Sequence, residues 1–248
     1  MLETLLHFWY SQFEPSIPED YRLTLNRYSA YYRRLNADNQ QEFNRRLFLL
    51  LKFMNFIPRG FPKVSREMKV IIGGAIIQAT FGLKEYRLKR FNTVYILPQA
   101  YRYPGYSEAF LGHVDFSRQF ICLSWADVRQ GFHIPDDAVN VALHEVAHCL
   151  EAEARFSWLS RRFFDDAHWA SWARRAAVKL AVIRNNEHRF LKTYAGRNMR
   201  EMFAVCIETF FEKPEAFKTK LPGLYQALSL LLNQDPANGE DPVVVKGG

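Results

Sequence analysis

The stretch Val141-Ala142-Leu143-His144-Glu145-Val146-Ala147-His148-Cys149-Leu150 constrains this chain more than any other. Apart from two histidines and one glutamate, every position in it is uncharged, as a helix buried on all sides requires. Two imidazoles and a carboxylate are costly to bury without partners, so the fold must supply a shared one. Residues four apart on a helix differ by about 40° in direction, so His144 and His148 project from one face and can share an ion. Glu145 lies about 100° round from His144. It flanks the ion without occupying a ligand position, which suits a carboxylate that takes a proton from water activated there. Zinc in a catalytic site takes three protein ligands and keeps a position open, so a third ligand is required.

The downstream candidates are Glu151, Glu153, Glu187, His188, Glu201 and Glu208. Glu151 sits too close on the same helix, and the motif does not continue as His-x-x-Gly-x-x-His. A second helix should complete the site. In Arg200-Glu201-Met202-Phe203-Ala204-Val205-Cys206-Ile207-Glu208-Thr209-Phe210-Phe211, Glu201 and Glu208 share a face with Val205 in otherwise apolar surroundings. One binding zinc while the other orients a ligand histidine would satisfy both carboxylates. The chain holds no second Glu-x-x-His, which argues against a di-iron carboxylate site.

The rest of the chain narrows the setting. At 248 residues, 48% of them apolar, it makes one to two globular domains at roughly 150 residues each. Three cysteines, Cys122, Cys149 and Cys206, show no Cys-x-x-Cys spacing, so a reducing, cytoplasmic setting is expected. The aliphatic run Val70 to Ala79 is too short for the ~20 residues of a membrane span. The apolar start, MLETLLHFWY, carries Glu3 and lacks a basic beginning and a cleavage site, so it reads poorly as a secretory signal. The net charge of +7 comes as scattered doublets, Arg33-Arg34, Arg45-Arg46, Lys89-Arg90, Arg161-Arg162 and Arg174-Arg175. That pattern suits solvated helix faces, and no direct nucleic-acid partner is expected.

Apolar spacing predicts one helix from Pro18 to Leu35 and a second from an Asp38/Gln41 capping box to Phe56, before a turn at Pro58–Pro62. Ser65 should cap a buried third helix that ends at Gly82, with Gly73-Gly74 allowing close packing. Three short strands are expected at 94–97, 110–116 and 120–125, forming a small mid-chain sheet. Asp136 and Asp137 should cap the motif helix, running to about Ala154. Helical texture resumes from Trp158 to Phe190, breaks at Gly196/Asn198, and returns at 199–212 and 224–232. A peptide could lie along a sheet edge, for which 120–125 is the favoured strand.

The segments LHEVAHCLEAE, KTYAGRN, REMFAVCIETFFEKPEAF and ICLSWADVRQGF together resemble the MtfA (Mlc titration factor A) family of zinc-dependent peptidases over roughly residues 60 to 235. The resemblance implies an α+β, mainly helical zincin-like fold of gluzincin type, related to the catalytic core of anthrax lethal factor. Its small sheet would pack on the His-Glu-x-x-His helix. The implied zinc ligands are His144, His148 and Glu201, one zinc per chain, with Glu145 as general base and Tyr194 stabilising the transition state. Glu208 is then left as the carboxylate behind a ligand. The resemblance also implies peptidase activity, with aminopeptidase activity as the finer expectation, on peptide or protein substrates. In enterobacterial members it implies binding to a glucose-regulatory repressor, so a regulatory protein that sequesters a transcriptional repressor, with zinc mainly structural, is the alternative. Two departures, Asn198-Met199 before Arg200-Glu201 and Cys149-Leu150-Glu151 after the motif, leave every ligand position intact. The expected organisation is an N-terminal helical segment, 1–63, packed on a catalytic domain, 64–237, and a polar tail, 238–248.

Overall fold

The computed structural model describes residues 17–103, 105, 107–156, 163–185, 190–238 and 241–242. The apolar start, the Arg161-Arg162 doublet, the ligand candidates Glu187 and His188, and most of the polar tail lie outside them. The fold is mainly helical with one small sheet, as expected.

The expected first helix is two, α1 (Glu19–Tyr28) and α2 (Ala30–Arg34), divided at Ser29. Ser29 is extended, and its hydroxyl accepts the Tyr32 amide at 3.1 Å, so a capping residue starts a new helix where periodicity alone continues the old one. The next helix, α3 (Ala37–Phe53), is capped by Asn36 rather than Asp38, through a 2.9 Å bond from the Asn39 amide. It ends before Phe56. Residues Asn55–Pro58 instead form a strand, β1, because Phe56 and Ile57 find a parallel partner far along the chain. Ser65 caps α4 (Arg66–Thr80) as expected, and a Cβ on Gly73 would stand 2.8 Å from Leu47 Cδ1, so this glycine is what lets α3 and α4 approach closely.

The sheet has four strands in the order β1-β2-β4-β3, with β2 at Thr93–Leu97, β3 at Gly112–Asp115 and β4 at Phe120–Ser124. β1, β2 and β4 are parallel and β3 returns antiparallel to β4. β3 is shorter than the expected 110–116, since Phe110 bridges back to Tyr101. β4 is interior, paired on both sides, so it is not the edge at which a peptide could add. A helix the sequence reading missed, α5 (Trp125–His133), follows directly on β4, its start capped by Ser124.

The remaining helices are α6 (Val141–Phe156), α7 (Asp166–Arg184), α8 (Met199–Glu212), α9 (Pro214–Lys220) and α10 (Pro222–Leu232). α7 lies within the long stretch expected over 158–190, and Asp165 caps it through the amides of Ala167 and His168. α9 is additional, with Pro214 in its first turn, where the missing amide costs nothing. α6 packs along α8 on one side and against α4, β3 and β4 on others. The N-terminal helices join the same core: Tyr31 of α2 packs on Phe43, Phe81 and Phe211 and donates to Gln234 Oε1 at 2.6 Å.

Candidate metal centre

The start of α6 is set by Asn140, not by Asp136 or Asp137. Its Oδ1 accepts the Leu143 amide at 3.1 Å, while Asp137 serves the turn before it by accepting the Val139 amide at 2.8 Å. Ala138 has a φ of 63°, a left-handed turn that interrupts the chain between the aspartates and the helix. Asn140 also ties α6 to α8, giving its amide to Glu208 Oε2 at 2.9 Å and its side-chain N–H to Glu212 Oε1 at 3.0 Å. α8 begins at Asn198, whose Oδ1 accepts the amides of Arg200 and Glu201, both at 3.0 Å. Glu201 thus stands in the first turn, where the helix dipole favours a carboxylate.

These two starts bring the motif residues and Glu201 together. The imidazoles of His144 and His148 lie 4.7 Å apart at 88°, and Glu201 Oε2 sits 3.2 Å from His144 Nε2 and 3.5 Å from His148 Nε2. One donor atom from each of the three lies within 4.8 Å of the others. Glu208 stands behind, its Oε1 2.7 Å from His144 Nδ1 and its Oε2 accepting from Lys192 Nζ at 3.0 Å. Glu151 and Glu153 are engaged elsewhere, Glu151 with Arg200 Nε at 3.0 Å and Glu153 with the Arg90 amide at 2.6 Å.

The electrostatics favour a cation. Burial opposes protonation of His144, but the carboxylates of Glu201 and Glu208 outweigh it and hold its pKa up to about 10. Burial likewise works against ionisation of Glu201, yet the two histidines pull its pKa down to about 2. A site that draws in a proton this strongly offers the same field to a divalent ion. Two imidazole nitrogens and a carboxylate oxygen also match the donor chemistry of such an ion, and Glu208 gives His144 the outer partner that ligand histidines need. His148 Nδ1, also buried, has no such partner among the described residues.

Glu145 is buried at 5% exposure, and its Oε2 has no hydrogen-bond partner among the described residues. Burial lifts its pKa, and the charges of His144 and His148 oppose that rise. Gly112 of β3 makes its space: a Cβ there would stand 2.8 Å from Glu145 Cγ and from Val141 Cγ2. Tyr194 lies in a short 3₁₀ turn, Thr193–Gly196, 5.9 Å from the His144 ring between centroids, with the Arg197 guanidinium 4.2 Å from its own ring centre. A cleft of about 520 Å³ opens over His144, Glu145, His148 and Glu201, and a second of about 420 Å³ adjoins it across Gly112 and Tyr194. Sequence reading found none of Gly112, Asn140, Lys192 or Glu212. Asn140 alone carried a local signal, as a capping residue just before an apolar run.

Two histidines one turn apart on a helix, a glutamate from a second helix and a buried carboxylate beside them match the arrangement of the metallopeptidase class. The chain belongs to the glucose-regulated metallo-peptidase M90 family, whose model matches residues 10–232. That match reaches well into the N-terminal helices, beyond the 60–235 stretch carrying the recognisable motifs. The chain is 26% identical over 233 residues to an uncharacterized protein of Synechocystis sp., covering 87% of this chain and 84% of that one. It is also 29% identical over 123 residues to Mlc titration factor A of Escherichia coli, and equally to that of Shigella flexneri. Those alignments span 47% of this chain and 45% of the relative, about half of each. Family and donor set together point to a divalent metal. Among the described residues, no helix is long and apolar enough to cross a membrane.

Proposed function

We propose that this chain is a zinc metallopeptidase, hydrolysing peptide bonds and acting as an aminopeptidase, with one zinc held by His144, His148 and Glu201. The observation that carries this reading is the convergence of three donor atoms within 4.8 Å beside a buried glutamate with one oxygen unpartnered among the described residues. Bound zinc would supply a Lewis acid that brings the pKa of water toward ~7. Glu145, facing the cleft, accepts the proton of the attacking water and returns it to the leaving amine; a carboxylate whose pKa is lifted by burial is suited to holding that proton between the two steps. Glu208 accepts the Nδ1–H of His144, which fixes the tautomer so that Nε2, once its proton is displaced, is the nitrogen offered to the donor cluster. Tyr194 keeps its proton, since burial raises its pKa, and donates to the developing oxyanion. The substrate backbone adds along β3, which lines the cleft and among the described strands pairs only with β4.

The test is metal content by elemental mass spectrometry with turnover of an aminoacyl and an internally cleaved peptide series. Wild type should carry one zinc per chain, Glu201→Ala should lose or weaken it, and Glu145→Gln should keep it while losing turnover. Wild type without zinc would sink the peptidase reading; zinc lost in Glu208→Ala alone would exchange the roles of the two glutamates. The name of the E. coli relative favours a second reading, a regulatory protein that sequesters a transcriptional repressor. Repressor binding that survives Glu145→Gln, in a chain that turns over no peptide, would favour it.

A further inference from the structure

Away from the candidate metal centre, α1, α2 and α5 border a cavity of about 680 Å³ whose charged lining is entirely basic, Arg27, Arg33 and Arg129, with His133 beside them. Tyr28 and Phe132 supply its apolar wall. Two of the arginines are held in place by the chain itself. Arg33 Nη1 donates to the carbonyls of Asn26 at 2.8 Å and Arg27 at 3.4 Å, against the end of α1, and the Arg27 guanidinium lies 5.2 Å from the Tyr28 ring centre.

Among the described residues, none of Arg27, Arg33 and Arg129 has a carboxylate within ion-pair distance. The acids on the same elements are committed elsewhere: Glu19 to Arg22, Asp20 to Arg66 at 3.1 Å, and Asp127 to Ser124. Asp136, just past Pro135, is not part of the lining. Gathering three guanidinium groups around one concavity without a counter-charge works against folding, and ordinary surface design intersperses the signs. The described residues thus leave the counter-charge of these three guanidinium groups to be supplied from elsewhere.

We propose that this cavity binds a small ligand carrying two or more phosphate groups. Guanidinium forks match phosphate oxygens in pairs, and part of the ordering they would lose on binding is already lost in Arg27 and Arg33. The volume falls within the ~300–1,000 Å³ of ordinary small-ligand sites. The carboxylates of an acidic peptide are spread along its length, whereas these cations border a single concavity. A nucleic-acid surface would instead extend as a basic stripe, and the remaining arginine and lysine doublets are scattered.

Calorimetric titration of the full chain with inorganic tripolyphosphate and with ADP tests this, beside Arg33→Ala/Arg129→Ala and its Lys/Lys counterpart. Both positions are exposed, so neither pair of substitutions threatens the core. Either anion should bind, about tenfold or more weakly in the Ala pair, with partial rescue by Lys and no change in Glu201→Ala. Tighter binding of ADP would mark a nucleotide, and tighter binding of tripolyphosphate an inorganic chain. Absence of binding, or binding indifferent to the Ala pair, overturns the proposal. So does a short single-stranded oligonucleotide or a polyglutamate peptide that binds more tightly through the same arginines.

Discussion

Two buried helices that pack on each other, α4 and α6, do opposite things with their burial. α4 hides nearly its whole length and encloses only Gln78 and Thr80 among polar side chains, the Thr80 hydroxyl bonding back to the Ile76 carbonyl at 2.7 Å. α6 is as deeply placed, yet it buries Glu145, His148, Glu151 and Glu153. Three of its polar residues are answered from other elements: His144 by Glu208, Glu151 by Arg200 and Glu153 by the Arg90 amide. What α6 leaves unanswered among the described residues, Glu145 Oε2 and His148 Nδ1, belongs to the motif itself. On the metallopeptidase reading, burial in α4 serves stability alone, whereas α6 gives up stability to hold reactive groups beside the cleft.

The sharpest way to break this contrast is Glu145→Gln. On the metallopeptidase reading it lowers peptide turnover by about 10³-fold, leaves zinc content unchanged and does not lower Tm; a large fall in Tm would make Glu145 a structural residue. Ile76→Ala, at the centre of α4, should do the reverse. It costs about 3 kcal/mol in denaturant unfolding while metal per folded chain stays the same, and loss of metal would mean that the two helices are not separable in this way. Gly112→Ala should fall between them. The added methyl would displace Glu145, so kcat drops about thirtyfold with zinc retained. Unchanged kcat would show that Glu145 needs no such space.

The smallest expected effect concerns pH. Burial, with help from the charge of Glu208 and against the Asn140 hydrogen bond, lifts the Glu212 carboxyl to about 8, against about 4.3 in an unfolded chain. The folded protein therefore keeps a proton that the unfolded chain releases. Stability from this group is intact below the lower value and is lost as pH rises through the upper one. Glu212→Gln should raise Tm by about 3 °C at alkaline pH and by nothing near pH 4, as read by thermal scans across the range. A constant offset at every pH would remove the carboxyl as its cause.

What could be read from the sequence follows how local each signal is. The motif helix, the Ser65 cap and α8 were legible because spacing and capping residues act within one or two turns. β1 was not: four residues ending in proline look like a helix tail and a turn until a strand nearly forty positions away pairs with them. α5 was missed because Trp125 continues the β-forming run before it, and only the bond from the Asp127 amide to Ser124 shows where the helix starts. The same limit applies to the site. Periodicity put Glu201 and Glu208 on one face but could not say which stands before His144 and which behind, because that depends on how α8 lies against α6.

The strand at Asn55–Pro58 has a consequence for any attempt to divide this chain. It is the outermost member of the sheet, and it is supplied by the N-terminal helical segment. A cut after residue 63 that let the segment depart would bare the backbone amides and carbonyls of Thr93–Leu97 along the side now covered. An uncovered edge of that kind recruits whatever strand it meets, including its own counterpart in another molecule. The strand thus acts as a cover against self-association, and the fragment without it should be harder to keep dispersed than to fold.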